Sequence, residues 1–183
     1  MKAGKASPLR IDSPAGFPDL GMSLCPGKAD PWARTGPARR DLREDLAAIK
    51  NWGAALIVTL MEDFELETLG VKDLGKAAMA LGMEWRQWPV MDATPLRLRE
   101  DDAPGQWDDQ IREFAARLDQ GEKIFVHCRG GLGRTGTLAA RILIEKGLAP
   151  AEAVALVRQA RHGAIETPEQ ERYILKRQWE NKE

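Results

Sequence analysis

The sequence predicts an α/β fold: a single domain in which one mixed, largely parallel sheet is flanked by helices. Three observations carry this expectation. Short apolar runs rich in β-branched residues alternate with stretches of helical period, as in residues 54–61 (AALIVTLM) and 123–127 (KIFVH). The order β, α, β, α, β, α suits parallel strands joined by crossover helices. The chain has 183 residues and is 43% apolar, enough for one sizeable core but not two. The domain therefore spans 1–183, with residues 1–20 as an irregular lead-in.

The first 40 residues are rich in Pro and Gly and allow only an edge strand around Gly21 to Cys25. From Asp41 the period turns helical: Leu42, Leu46 and Ile49 share a face, and Asp41, Glu44 and Asp45 sit where a helix N-terminus favours negative charge. Gly53 closes this helix, and the apolar run 54–61 reads as a strand covered on both faces. Helical spacing returns over 71–82 (Val71, Leu74, Ala78, Leu81). A second strand fills Met83 to Trp88 and stops at Pro89. Residues 106–120 form the clearest amphipathic helix, with Trp107, Ile111, Phe114, Ala115 and Leu118 on one face and Gly121 at its end. The third strand, Lys123 to His127, leads through a glycine-rich turn into an apolar, central helix. Two further helices follow, at about 150–161 and 168–180, the second opened by a capping box of Thr167, Pro168 and Gln170.

Charge and composition narrow the function. Lys and Arg number 27 against 28 Asp and Glu, so the whole molecule exerts no pull on nucleic acid or anionic lipid. No apolar stretch approaches the roughly 20 residues of a membrane span, and the start lacks the apolar core of a secretory signal. The chain reads as cytoplasmic. Two cysteines, Cys25 and Cys128, and two histidines, His127 and His162, make neither a disulfide framework nor a zinc cluster.

The segment IFVHCRGGLGRTGT carries most of the functional information. A strand ends at Cys128, glycines free to turn backbone N–H groups inward follow, and a helix begins near Arg134. The result is a cup of oriented dipoles shaped for a tetrahedral dianion, and the same field favours the thiolate of Cys128. Arg134 emerges from the first helical turn, where its planar fork can grip two phosphate oxygens at once. Attack by the thiolate on phosphorus gives a phosphocysteine, which splits one hard step into two.

These residues, HCRGGLGRT, match His-Cys-x5-Arg-Ser/Thr, and the chain resembles the cysteine-dependent phosphatases of dual-specificity type. LCPG at 24–27, PVMDATP at 89–95, HCRGGLGR at 127–134 and GAIETPEQERYI at 163–174 resemble, in order and spacing, the kinase-associated phosphatase branch. The resemblance implies a phosphomonoester hydrolase with Cys128 as nucleophile and Arg134 as the phosphate-binding side chain. Main-chain amides of Arg129, Gly130, Gly131, Leu132, Gly133 and Arg134 would hold the remaining oxygens. Thr135 would steady the departing thiolate and His127 would brace the loop from behind. A leaving alkoxide or phenolate needs a proton. Asp92, between Pro89 and Pro95, is the candidate acid, with Asp101 and Asp102 as rivals. Gln170 matches a glutamine that helps place the attacking water, whereas Glu166 stands where the relative has a second glutamine. No metal or organic cofactor is implied. The expected substrate is a phosphorylated protein or peptide carrying phosphotyrosine, with phosphoserine and phosphothreonine admitted if the pocket is shallow.

Other readings stay open at this level. A phosphoinositide or another non-protein phosphate is a possible substrate. Gly131, Gly133 and Gly136 also fit the G-x-G-x-x-G of a dinucleotide site, although that site needs another parallel strand soon after the helix. A phosphate-binding pseudophosphatase would keep the cup without turnover. Gln170 also serves as a plain helix cap, Asp92 as a turn former, and Cys25 as a redox partner of Cys128.

Overall fold

The computed structural model describes residues 7–31, 38–96 and 106–176. Four strands form the main sheet: β1 (Leu20–Ser23), β4 (Ala54–Thr59), β5 (Glu84–Gln87) and β6 (Lys123–His127). Two short strands, β2 (Ala29–Asp30) and β3 (Ala38–Arg39), make a separate antiparallel ribbon. The main sheet runs β1-β6-β4-β5 with every pairing parallel, and a single antiparallel bridge, Asp12 to Met22, extends it beyond β1. The expected edge strand is thus β1.

The helices are α1 (Leu42–Trp52), α2 (Asp63–Thr68), α3 (Leu74–Ala80), α4 (Gln106–Asp119), α5 (Gly133–Glu145), α6 (Pro150–Ala160) and α7 (Pro168–Lys176). α1 starts where the charge pattern places it: the Asp41 side chain accepts a hydrogen bond from the Glu44 amide, and Gly53 ends the helix in the left-handed region at φ 101°. No strand follows β6 among the described residues, and α5 leads directly into α6. The strand that a dinucleotide site requires is therefore missing there.

Two short pieces differ from the sequence reading. β4 stops at Thr59, and the chain turns into α2, whose first turn is closed by the Glu62 amide donating to Glu65 Oε2 at 3.0 Å. The β2–β3 ribbon occupies part of what reads as irregular chain. Six- and two-residue elements are too short for a hydrophobic period to register.

Alternation along the central strands divides the core. Leu56, Val58, Ile124 and Val126 face one cluster, while Ile57 and Phe125 face the other. The first cluster takes residues of α4, α5, α6 and α7 together with Leu66 of α2 and Leu74 of α3, and the second takes Leu46 and Ile49 of α1 and Ala78 of α3. Because all four main strands are parallel, the loops after β1, β4, β5 and β6 emerge at one edge of the sheet, where open α/β folds place their ligands. Among the described residues no helix is long and apolar enough to cross a membrane.

Candidate active site

That edge gathers the residues the sequence singles out. Cys128 follows β6 directly and is buried. Behind it, the outer faces of the loop peptides are held by the protein. The Cys25 amide donates to the Arg129 carbonyl at 3.3 Å, and Arg161 donates to the carbonyls of Gly130 at 3.0 Å and Gly131 at 2.6 Å. In a trans peptide the following N–H points opposite to the carbonyl. The amides of Gly130, Gly131 and Leu132 therefore turn away from these anchors and toward the inside of the loop. Arg161 is itself tied to Asp12 at 2.7 Å. Gly131 makes the tight path possible: its φ is +70°, and a Cβ would stand 2.1 Å from the Ser23 carbonyl oxygen.

Arg134 is 1% exposed and is the hub of the site. Its Nη1 and Nη2 donate to the two oxygens of Glu65 at 2.7 and 2.9 Å, and Nη1 also reaches the Val90 carbonyl at 2.9 Å. Burial alone lowers an arginine's pKa, but the Glu65 hydrogen bonds and the nearby charges of Cys128 and Asp92 outweigh it and hold Arg134 above its ordinary value. Asp92 lies 3.0 Å from Nη2 with its own side chain 64% exposed, so the acid loop and the cysteine loop meet at one guanidinium. Besides His127 Nδ1 below the loop, two buried polar atoms here have no hydrogen-bond partner: Arg134 Nε and Thr135 Oγ1. Both can donate, as the expected phosphate cup requires. Asp101 and Asp102 lie outside the described residues.

Glu65 was not singled out from sequence. It sits in α2, 69 positions from its partner, and its only local signal is the Glu62–Glu65 cap. Arg161 and Asp30 were missed likewise. Buried Asp30 takes both Arg129 Nε and Nη2 at 3.1 and 3.0 Å and stands 3.8 Å from Lys28 Nζ. Burial lowers the pKa of Lys28 and Arg129 lowers it further, against the opposing pull of Asp30, Cys25 and Cys128. Cys25 and Cys128 are both free thiols. Burial pushes the Cys25 thiol well up, so it stays protonated.

The acid loop is anchored at both ends. Trp88 opens it, its ring 4.2 Å from Trp107 edge-on and 5.0 Å from Phe114 in a stack. The Thr94 hydroxyl donates to the Met91 carbonyl at 2.7 Å, forming the turn that displays Asp92. Gln170, fully buried, donates through Nε2 to the Thr94 carbonyl at 3.1 Å, while its Oε1 accepts from the Glu166 and Thr167 amides at 2.9 and 3.2 Å. The Gln170 amide in turn donates to Thr167 Oγ1 at 3.2 Å, which completes the expected capping box. Just before it, Ile165 has φ 61°, an unusual conformation for a β-branched residue. Glu166 Oε2 accepts the Gly133 amide at 2.9 Å, so the carboxylate does reach the loop.

His127 is fully buried below the loop, with Nε2 2.7 Å from Thr59 Oγ1. Burial drives its pKa down to about 3, a weaker pull from the Cys128 backbone opposes the shift, and the Arg134 charge adds to it. The ring is neutral at ordinary pH. Among the described residues no cluster of three or more His, Cys, Asp or Glu side chains could hold a metal ion.

Comparison with known proteins agrees with this geometry. Residues 31–174 match the family model described as "PTP-SAK: Swiss Army Knife protein, DSP-PTPase phosphatase domain". The chain is 31% identical over 132 residues to mouse protein tyrosine phosphatase type IVA 3, covering 70% of this chain and 68% of that protein. It is 27% identical over 158 residues to mouse cyclin-dependent kinase inhibitor 3, covering 85% and 69%. Among solved structures it is similar to a kinase-associated phosphatase whose catalytic-site cysteine is replaced by serine, with a TM-score of 0.80, 22% identity and coverage of 95% and 96%. It is also similar to Tk-PTP in its active form, with a TM-score of 0.62, 28% identity and coverage of 86% and 89%.

Proposed function

The chain belongs to the dual-specificity-type protein tyrosine phosphatases, cysteine-dependent hydrolases of phosphomonoesters, and on that premise we propose the course of its reaction. The substrate phosphate enters the cup of residues 128–134, held by loop amides and by Arg134. The Cys128 thiolate attacks phosphorus as the bond to the leaving oxygen breaks, and Asp92 gives that oxygen its proton. Water then attacks the phosphocysteine and passes a proton to Asp92. The S–P bond breaks, inorganic phosphate leaves, and the Thr135 hydroxyl stabilises the returning thiolate. The observation that carries this reading is the meeting of Glu65 and Asp92 on Arg134, which joins the acid loop to the cysteine loop. Gln170 contributes by bracing the acid loop, since its oxygen is engaged by two amides and its nitrogen by Thr94.

The substrate is a phosphorylated protein or peptide, with phosphotyrosine preferred. Charge balance supports this class over multiply phosphorylated lipid headgroups. Among the described residues, the cations around the loop already face carboxylates: Arg129 and Lys28 face Asp30, Arg134 faces Glu65 and Asp92, and Arg161 faces Asp12. One dianion on a neutral leaving group suits such a site better than several phosphates.

The test is release of phosphate from p-nitrophenyl phosphate in chelator, inhibited by vanadate and abolished in Cys128→Ser. Activity surviving in that variant removes the nucleophile assignment. Asp92→Asn is expected to lower turnover on alkyl and phenyl phosphates by roughly 10²–10⁴-fold, and by less where the leaving group needs no proton. Equal losses across leaving groups count against Asp92 as the acid. Phosphotyrosine peptides and phosphoinositides compared side by side decide the substrate class.

A further inference from the structure

Arg129 follows the nucleophile directly and, Arg134 apart, is the only residue of 128–134 with a charged side chain. Its guanidinium is turned to the β2–β3 ribbon. Nε and Nη2 donate to the two oxygens of Asp30 at 3.1 and 3.0 Å, a bidentate pair that fixes the plane of the fork. Asp30 is buried, and its strand is held on both sides: β2 pairs with β3, and the Ala29 amide donates to the Leu69 carbonyl at 2.9 Å. A carboxylate so buried needs cations, and it has two, because Lys28 Nζ stands 3.8 Å from Oδ2. The two cations are unequal. The Lys28 side chain is 9% exposed and confined, whereas that of Arg129 is 38% exposed and has room to swing. The charges of Asp92 and Glu65, which meet on Arg134, also act on Arg129.

We propose that Asp30 is a specificity-determining residue: by holding Arg129 against the β2–β3 ribbon it keeps a second cation off the mouth of the cup, and so suits the site to one phosphate rather than to two neighbouring ones. This rests on the reading of residues 128–134 as a phosphate cup. It deepens that reading by naming a residue 99 positions from its partner that sets the charge of the ligand. The physical reason is competition for one guanidinium. The side edge of the fork is filled and its charge is balanced, so a second phosphate gains little from it. To gain more, the phosphate would have to draw Arg129 away and leave Asp30 buried with Lys28 alone, a cost that a ligand with one phosphate never meets.

The test is the binding, read by calorimetry in Cys128→Ser, of an inositol monophosphate and of an inositol bisphosphate whose phosphates are adjacent. With Asp30 intact the bisphosphate is expected to gain little over the monophosphate. In Asp30→Asn, Arg129 is the cation free to move. Coulomb's law in water, for a phosphate of two charges about 8 Å from it, then gives a shift of roughly sixfold in favour of the bisphosphate. Removing the guanidinium as well, in Asp30→Asn with Arg129→Gln, is expected to abolish that shift. An unchanged ratio of affinities in a folded Asp30→Asn, or a shift that persists without Arg129, overturns the proposal. A preference of that size already present with Asp30 intact overturns it too, and decides the matter even if Asp30→Asn does not fold. Failure of the phosphatase reading is distinguishable: the wild type would then leave p-nitrophenyl phosphate intact, while the ratio of affinities, measured without the sulfur, would still move with Asp30.

Discussion

At Gly133 the resting loop already holds an anion. Glu166 Oε2 accepts the Gly133 amide, one of those proposed to hold the phosphate, and a Cβ at Gly133 would stand 2.6 to 3.0 Å from side-chain ends of Glu166 and Gln170. An arriving dianion must share that amide with the carboxylate or displace it. Glu166→Gln keeps the acceptor and removes the charge, so KM for p-nitrophenyl phosphate and the inhibitory concentration of vanadate are both expected to fall. Coulomb's law in water gives roughly fourfold per unit of ligand charge at about 5 Å, and so roughly 16-fold for a dianion. Unchanged or higher values would show that the carboxylate does not compete. At this scale the sequence is uneven. Cys128, Arg134 and Thr135 stand in one stretch of chain, so their spacing carries the proposed chemistry. Glu65, Asp30 and Arg161 do not, because each acts on a partner at least 30 residues away, and a lone acidic or basic residue looks the same in sequence whether it is solvated or buried.

Among the elements, α7 and the acid loop behave as one latch. Gln170 satisfies two amides at the start of α7 and one carbonyl of the loop, all through a single carboxamide. Gln170→Ala leaves those three groups to find other partners. It is expected to destabilise the fold by about 1–3 kcal/mol, read by urea unfolding, and to lower kcat more than it raises KM, since the loop carrying Asp92 loses its anchor. A loss of stability with kcat unchanged would confine Gln170 to the helix cap. The Thr167–Pro168–Gln170 cap and the amphipathic face of α4 were legible because both depend on residues three or four apart. The edge position of β1 followed from its Pro- and Gly-rich surroundings, and the largely parallel sheet from the βα alternation, whereas the strand order did not. α2 and the β2–β3 ribbon were not legible, since elements of two to six residues are stabilised by contacts from elsewhere in the chain rather than by their own period.

Across the whole molecule, the buried imidazole sets how stability responds to acid. In the unfolded chain His127 binds a proton near its ordinary value of 6.5, whereas in the fold that value is pushed down to about 3. Its contribution to stability is therefore fully present above about pH 6.5 and declines as pH falls toward 3, because over that window the unfolded state takes up a proton that the native state refuses. The slope is about 1.4 kcal/mol per pH unit, for a total near 5 kcal/mol, comparable with the whole stability of many domains. Carboxylates enter later. Glu113 and Glu171, held below their ordinary range chiefly by hydrogen bonds from Arg86 and Arg158, add losses only below about pH 4.5, and modest ones because these pairs are largely exposed. Urea midpoints measured from pH 7.5 down to 4.5 in a His162→Gln background are thus expected to fall steadily below about pH 6.5. A flat profile over that interval would mean that the folded protein protonates His127 freely. The imidazole beneath the loop would then take up its proton near its ordinary value of 6.5, and burial would not be what keeps it neutral.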